Sequence, residues 1–337
     1  MVKSLDESLM QHALNEAWKY QGLTFPNPAV GAVVSDEAGT ILGIGAHQKA
    51  GFPHAEVLAL KEAYKRLSGD ERIDLLQTSD ELHTFLIHNH ANLFHRLSLH
   101  VSLEPCHHYG KTPPCSQLIH TLGIKRIVIG SRDSSAKAQG GGEFLREMGK
   151  EVIFGCLQKE CDELLTPFTY KENSMPFVFF KIALSLNGVA TGGTISSLQS
   201  RVMVHRLRDR CDLLVIGGNT VREDRPILDA RLCEGKAPDV LIYSRTQNFD
   251  KTIPLFANVH RKVFIEPSLD RMKSYSMVMI EGGQAMIKAV QAHVKWYLVF
   301  RSPYDKEGIP LHLPSGLREV FSQAIGEDMM TWYVRDV

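Results

Sequence analysis

The run His54-Ala55-Glu56, followed by Pro105-Cys106 and Pro114-Cys115, constrains this 337-residue chain more than any other feature. An imidazole and two thiolates are ligands that tetrahedral zinc accepts, and three protein ligands leave the fourth position for water. These residues lie far apart in the sequence, so one ion can bind them only if the fold brings them together. A carboxylate beside a zinc-activated water suits hydrolytic deamination. The pattern therefore predicts a catalytic zinc site with Glu56 as its proton carrier.

Two other interpretations of these residues stay open. Buried cysteine is common, so both thiols could be core residues and His54 the start of a helix. A structural zinc site usually has four protein ligands, and His107 or His108 could supply the fourth. The order of the four elements, with proline before each cysteine, favours the catalytic site, although eight residues rather than two separate the cysteines. Zinc is preferred to iron because it is the more frequent ion with such ligands.

Composition limits the classes of partner. The chain has 38 basic and 38 acidic residues and no basic block, which argues against nucleic acid as a partner and against a tRNA-editing deaminase. No apolar run approaches the length of a bilayer-spanning helix, so no membrane partner is predicted. Four further cysteines lack the spacing of a disulfide framework, which favours a reducing cytoplasm. They are Cys156, Cys161, Cys211 and Cys233.

Alternating helix and strand patterns predict two α/β domains, residues 1–165 and 176–337. A capping box at residues 4–7 opens an amphipathic helix, which is distinct from a secretory signal. Residues 166–175 combine proline and charge with little periodicity and are predicted to be a linker. The predicted apolar helix face is Leu5, Leu9, Ala13, Leu14, Ala17 and Trp18, and the predicted strands are 41–46, 100–103, 126–129, 151–154, 177–183, 213–217, 240–243, 263–265, 277–280 and 296–300.

Three longer runs resemble the deaminase half of the bifunctional riboflavin-biosynthesis deaminase/reductase family. They are PNPAVG at 26–31, the stretch 47–56 that ends in His-Ala-Glu, and PCHHYGKTPPC at 105–115. The resemblance spans residues 4 to about 155, and a second matching region begins near residue 176. It implies a cytidine-deaminase-like α/β/α sandwich followed by a dihydrofolate-reductase-like α/β domain.

The resemblance also implies roles for single residues of the first domain. His54, Cys106 and Cys115 would bind zinc, and Glu56 would shuttle protons. Amide and imidazole groups can contact ring edges, and a lysine can meet a phosphate as a point charge. The positions that match family contacts to the pyrimidine and its ribose phosphate are Asn27, His47, His108, Lys111 and Asp133.

In the second half, KIALSLNG at 181–188 and the stretch 220–231 resemble the family's reductase runs. The resemblance implies NADPH as hydride donor. A glycine turn after a strand can offer N–H groups to a phosphate, and arginine can hold a phosphate through two hydrogen bonds. The matching NADPH positions are Leu184, Thr220, Asp224, Ser244, Gly282 and Gly283, and the matching substrate positions are Arg208, Leu228, Arg231 and Glu281.

Several positions depart from the family pattern. Asn187 and Arg225 each replace an acidic residue, Ser135 stands at the place of an asparagine, and residues 192–194 replace a longer loop. Residues 70–97 form an insert with helical periodicity, which could face solvent or a second copy of the chain in a homo-oligomer. Four histidines there suggest a second metal site, but they lack partners at ligand spacing. They are His83, His88, His90 and His95.

The predicted function is a step of riboflavin synthesis. The resemblance implies deamination of 2,5-diamino-6-ribosylamino-4(3H)-pyrimidinone 5′-phosphate with zinc, then reduction of the ribosyl group to ribityl with NADPH. Three alternatives stay open. They are a deaminase whose second domain is not catalytic, a deaminase of another pyrimidine or nucleoside, and a zinc-stabilised binding protein without activity.

Overall fold

The structure is a computed structural model that describes residues 3–110, 113–135 and 138–336. It divides into two compact units, Met1–Glu172 and Asn173–Val337. No helix in the described part of the chain is long and apolar enough to cross a membrane.

The first unit is built on a five-stranded sheet in the order β2-β1-β3-β4-β5. Strand β1 pairs antiparallel with β2 and β3, whereas β3, β4 and β5 are parallel. The strands are β1 Gly31–Ser35, β2 Ile41–Ala46, β3 Ser98–Leu103, β4 Arg126–Ser131 and β5 Glu151–Phe154, and the helices are α1 Leu5–Trp18, α2 Ala55–Ser68, α3 Ser79–Asn89, α4 Cys115–Thr121, α5 Gly141–Glu147 and α6 Gln158–Glu172.

Successive residues of a strand point to opposite faces of the sheet, and every residue of β1 is buried. Both faces of the sheet are therefore covered by helices. Gly31 lies against α1, where a Cβ atom would stand 1.9 Å from the Ala13 carbonyl oxygen. Gly43 lies against α2, where a Cβ atom would stand 2.1 Å from the Ala59 carbonyl oxygen. These glycines allow each helix to approach the sheet closely, and the close packing of α2 fixes the residues at its start.

The insert contributes to the core of the first unit. It contains a 3₁₀ helix, Glu71–Leu75, and the helix α3, whose first turn has a capping box from Thr78 and Glu81. Ile73 and Leu82 are buried in the same apolar cluster as residues of α2 and the sheet. The insert is therefore packed on the domain, and its histidines do not form a metal cluster within the described residues.

Two sequence predictions about the first unit are wrong. Most of the predicted linker 166–175 belongs to α6, which continues through Pro167 to Glu172. Proline costs a helix one hydrogen bond, but the buried face that Leu164, Leu165 and Pro167 share with Cys161 outweighs that loss. On α1, the predicted capping box is confirmed, but Leu5 is 52% exposed, whereas the rest of the predicted face is buried.

The second unit is built on an eight-stranded sheet in the order β12-β13-β11-β6-β10-β7-β8-β9. The six strands from β11 to β9 are parallel, and β13 and β12 continue the sheet antiparallel. The elements are β6 Phe177–Leu184, α7 Leu198–Arg210, β7 Leu213–Gly217, α8 Gly218–Asp224, β8 Asp239–Tyr243, β9 Val263–Glu266, β10 Met277–Glu281, α9 Gln284–Val290, β11 Trp296–Arg301, β12 Leu317–Ile325 and β13 Asp328–Arg335.

Candidate active site

The three predicted metal ligands converge in the first unit. His54 caps α2, Cys115 begins α4, and Cys106 follows β3. The sulfur atoms of Cys106 and Cys115 lie 3.7 and 3.4 Å from Nδ1 of His54, and the three ligand atoms are within 4.8 Å of one another. Within the described residues no fourth His, Cys, Asp or Glu atom joins this group.

The neighbouring histidines do not complete a four-ligand site. His107 points Nδ1 to the Ser116 hydroxyl at 2.9 Å and packs its ring against Phe144. His108 is exposed and lines the cavity above the ligands. The geometry therefore favours a three-ligand site over the structural zinc site that the sequence left open.

The electrostatics of the ligand group suit a cation. The hydrogen bond that Cys106 and Cys115 share lowers the pKa of the Cys106 thiol and raises that of Cys115. Burial lowers the pKa of His54, but its hydrogen bond to Cys106 and the charge of Glu56 outweigh burial, and the net pKa is raised. The Cys106 thiolate is thus favoured, and sulfur and imidazole donors together suit a divalent ion such as zinc.

Glu56 lies next to the ligands on the first turn of α2 and is 4% exposed. Burial raises the pKa of its carboxyl group, which favours the protonated form. A positioned carboxyl group can both accept and donate a proton during a reaction. The location of Glu56 fits the predicted proton carrier.

A cavity of about 290 Å³ opens above these residues. His47 is buried in its wall, and its Nδ1 lies 3.1 Å from the Pro53 carbonyl oxygen. Because a carbonyl only accepts, Nδ1 carries the proton and Nε2 accepts from the Asn27 amide nitrogen at 3.2 Å. Burial lowers the pKa of His47 to about 4, so the ring is neutral at pH 7. The Asn27 carbonyl oxygen is thereby oriented away from His47.

Of the other predicted substrate contacts of the first unit, Asp133 lies in the cavity wall and Lys111 lies outside the described residues. Asp133 is buried in the cavity wall, and its Oδ1 accepts from the Ser135 backbone N–H at 2.8 Å. Burial raises the pKa of Asp133. Ser135, which stands at the place of the family asparagine, also lines the cavity.

Among the cavity residues that the sequence predictions missed are Glu104 and Phe168. Glu104 lines the cavity from the end of β3, and Phe168 lines it from α6. A charged residue directly before Pro105-Cys106 was a signal for Glu104. No signal pointed to Phe168, because residues 166–175 were predicted to be a linker.

In the second unit, the predicted substrate residues form one connected group. Arg208 donates to both carboxylate oxygens of Glu281, with contacts of 2.9 to 3.2 Å, and to the Asp229 carbonyl oxygen at 3.3 Å. Lys181 lies 3.9 Å from Glu281. Burial raises the pKa of Glu281, but the charges of Arg208 and Lys181 outweigh it, and the net pKa is lowered. Glu281 is therefore an anion held between two cations.

The loop that carries Leu228 is fixed by hydrogen bonds and an ion pair. Leu228 has a φ of 56°, and Arg231 is paired with Asp229 at 2.6 Å. Buried Arg261 donates to the carbonyl oxygens of Ile227, Leu228 and Leu255. No sequence pattern pointed to Arg261, because its loop has no periodicity.

The predicted NADPH residues lie at the carboxyl ends of neighbouring parallel strands, where α/β sheets commonly bind ligands. Leu184 ends β6, Ser244 follows β8, and Gly282 and Gly283 follow β10. Thr220 and Asp224 lie on α8, directly after β7. Gly283 has no atom within 4 Å of the position of a Cβ, so its backbone is open to a phosphate. The arrangement fits a dinucleotide along this edge.

The two residues of this unit that replace acidic family residues make hydrogen bonds to nearby loops. The Asn187 amide donates to the Lys306 carbonyl oxygen at 2.9 Å, and its Oδ1 accepts from the Lys306 N–H at 3.1 Å. An aspartate could not donate the first of these bonds. Arg225 donates to Asp250 and Thr252, each at 2.7 Å. Both substitutions thus stabilise loops beside the site.

Comparison with known proteins identifies the two halves separately. Residues 3–131 match the family model described as the cytidine and deoxycytidylate deaminase zinc-binding region, and residues 176–293 match the RibD C-terminal domain. The predicted fold class, a cytidine-deaminase-like sandwich followed by a reductase-like α/β domain, is confirmed.

Curated relatives and solved structures agree with this result. The chain is 38% identical to the riboflavin biosynthesis protein RibD of Aquifex aeolicus over 68% of its own length and 59% of that protein. It is 36% identical to RibD of Synechocystis over 66% of its length and 55% of that protein. The matches thus span less than two thirds of these relatives. A Thermotoga maritima structure described as a diaminohydroxyphosphoribosylaminopyrimidine deaminase/5-amino-6-(5-phosphoribosylamino)uracil reductase is 28% identical, with a TM-score of 0.65 and coverage of 98% and 99%.

Proposed function

The chain belongs to the riboflavin-biosynthesis deaminase/reductase family, and on that premise we propose that it deaminates 2,5-diamino-6-ribosylamino-4(3H)-pyrimidinone 5′-phosphate and then reduces the ribosyl group. The observation that carries the proposal is the convergence of His54, Cys106 and Cys115 beside Glu56 in one cavity. The donor set of one nitrogen and two sulfurs fits zinc, and these three residues would hold it. Zinc, when bound, lowers the pKa of water.

In the proposed deamination, one water is consumed and one ammonia is released. The water oxygen forms a bond to the amino-bearing ring carbon, the carbon–nitrogen bond breaks, and a carbonyl group forms. Glu56 takes a proton from the water and delivers it to the departing nitrogen, and the second water proton passes to the adjacent ring nitrogen as the carbonyl group forms. Burial of Glu56 supports this role, because a raised pKa lets the carboxyl group hold the proton between the two transfers.

The cavity wall would orient the ring. The Asn27 carbonyl oxygen is available to accept from a ring or sugar donor, because neutral His47 holds the amide side of Asn27. Asp133 and His108 line the same cavity and are proposed substrate contacts, and Lys111 is proposed as a phosphate contact.

We propose that the second unit performs the reduction. NADPH, when bound, supplies the hydride that reduces the ribosyl carbon. Leu184, Thr220, Asp224, Ser244, Gly282 and Gly283 would hold NADPH, and Arg208, Leu228, Arg231 and Glu281 would face the substrate. The partly buried Arg208–Glu281 pair supports this placement, because it provides preorganised charge at the end of β10. This observation favours the bifunctional enzyme over a deaminase with a non-catalytic second domain.

The proposed domains follow from the site. The deaminase domain, predicted as residues 1–165, would extend to Glu172 because Phe168 of α6 lines its cavity. The reductase domain would begin at 176, and the insert 70–97 belongs to the first domain. We further propose a cytoplasmic enzyme that acts on small molecules without nucleic acid or a membrane as partner. A homo-oligomer is the proposed assembly.

An assay of the purified, zinc-loaded protein tests the proposal. With the diaminopyrimidine phosphate and no NADPH, we expect stoichiometric ammonia release, and NADPH oxidation should begin only as the deaminated product accumulates. Deamination without NADPH oxidation would instead support the monofunctional alternative. Preference for an unphosphorylated nucleoside would support a different deaminase, and zinc binding with no turnover would support a scaffold.

A further inference from the structure

Glu104 is buried directly before the metal-ligand segment and is 4% exposed. Its two carboxylate oxygens serve two separate stretches of backbone. Oε2 accepts from the Asp133 N–H at 3.1 Å, and Oε1 accepts from the Gly142 N–H at 2.9 Å. The Glu104 side chain thus links two parts of the chain to the segment that carries Cys106. These parts are the loop after β4 and the first turn of α5.

The backbone held in this way is one wall of the deaminase cavity. We call residues 133–135 and 138–142 the wall segment. Asp133, Ser135 and Ala138 of this segment line the cavity. Two backbone hydrogen bonds reinforce the contact, from Glu104 N–H to the Ser131 carbonyl oxygen at 2.9 Å and from His107 N–H to the Ala138 carbonyl oxygen at 3.2 Å.

Two glycines show how closely the wall segment approaches the metal-ligand segment. A Cβ atom on Gly141 would lie 1.8 Å from the Pro105 carbonyl oxygen. A Cβ atom on Gly142 would lie 2.3 Å from Cζ of Phe154 and 3.1 Å from Oε1 of Glu104. Only glycine permits this approach, so the Glu104 hydrogen bonds depend on the glycine pair.

We infer that Glu104 is a positioning residue for the deamination. It fixes the wall segment at a set distance from the metal ligands, and this distance sets the affinity for the substrate. The inference rests on the proposed function. Glu104 acts through the backbone of Asp133 and Gly142, so it shapes the cavity without reacting.

The carboxylate is the group that this position requires. Glutamate offers two acceptor oxygens and no donor, which matches two inward-pointing N–H groups. In Glu104→Gln, one of these N–H groups would face an amide nitrogen and lose its acceptor, and a buried orphan donor is costly. The wall segment would relax, whereas the ligand atoms of His54, Cys106 and Cys115 would keep their places.

Steady-state kinetics of Glu104→Gln test the inference. We expect KM for the diaminopyrimidine phosphate to rise about tenfold or more, with kcat within about threefold and zinc content unchanged. The matched control is Glu143→Gln. Glu143 follows Gly142 in the first turn of α5, and its carboxylate is 46% exposed and pairs with Arg132 and Arg146. The control should keep the wild-type KM and kcat.

The outcomes separate this inference from the proposed function. A wild-type protein without deaminase activity would overturn the proposed function. An active wild type with an unchanged KM in Glu104→Gln, or with a loss confined to kcat, would overturn only the role of Glu104. If the variant does not fold, amide hydrogen exchange of the wild type decides: protected N–H groups of Asp133 and Gly142 support the inference, and exchange at the rate of exposed loops overturns it.

Discussion

The Glu56→Gln variant is expected to release ammonia about 10²- to 10⁴-fold more slowly than the wild type while it binds the same amount of zinc. Glutamine has nearly the shape of glutamate and keeps α2 packed, but its amide cannot carry a proton between water and a leaving group. The side chain is buried in the wall of the cavity, and its position next to the ligands is fixed by the packing of α2. Ammonia release and zinc content should be measured on the same sample.

Glu62→Gln is the matched control for Glu56→Gln. Glu62 lies on the same helix, is exposed, and is outside the cavity. It should have wild-type activity. If Glu56→Gln retained most of its ammonia release with a full complement of zinc, Glu56 would not be the proton carrier.

The second large effect is expected for Arg208→Met in the reductase half. This change leaves the partly buried Glu281 carboxylate without its two-point partner, and Lys181 at 3.9 Å remains as its only close cation among the described residues. Losing one member of a buried charge pair typically costs several kcal/mol. We expect kcat/KM for NADPH oxidation with the deaminated substrate to fall about 10²-fold or more. Ammonia release should stay at the wild-type rate, because Arg208 lies in the other unit.

Arg206→Met separates this effect from a general loss of helix α7. Arg206 is exposed on the same helix, two residues before Arg208. It should leave both activities unchanged. Thermal unfolding of both variants would show whether Arg208→Met is folded at the assay temperature, and a folded Arg208→Met with full NADPH oxidation would contradict the proposed substrate site.

Local signals in the sequence predicted much of the fold. The capping box of α1 is confirmed, and most predicted strands match observed strands within a few residues. These elements depend on caps and on short apolar runs, which are readable along the chain. The metal triad was also predictable, because His54, Cys106 and Cys115 are types with a defined ligand chemistry.

Other features depend on contacts that the sequence does not show. Strands β12 and β13 were missed because their residues are mixed in polarity, with one face partly exposed. Helix α6 was missed because Pro167 is a local signal for a break, and only tertiary packing outweighs it. Glu104 and Arg261 act on backbone groups far away in the chain, which no spacing rule identifies.

The effect of residues that depart from the family pattern could also be judged only from the structure. From sequence, Asn187 in place of aspartate suggests a weakened reductase. In the fold, the amide of Asn187 makes two complementary hydrogen bonds to the backbone of Lys306. The substitution therefore supports the loop it belongs to, and it gives no reason to expect an inactive second unit.

X-ray absorption at the zinc edge of the loaded protein tests the central claim most directly. The claim is that one imidazole and two thiolates hold zinc and leave a place for solvent beside Glu56. We expect two sulfur neighbours at about 2.3 Å and two nitrogen or oxygen neighbours at about 2.0 to 2.1 Å, with one zinc per chain. Four protein ligands, or a zinc ion without sulfur neighbours, would contradict it.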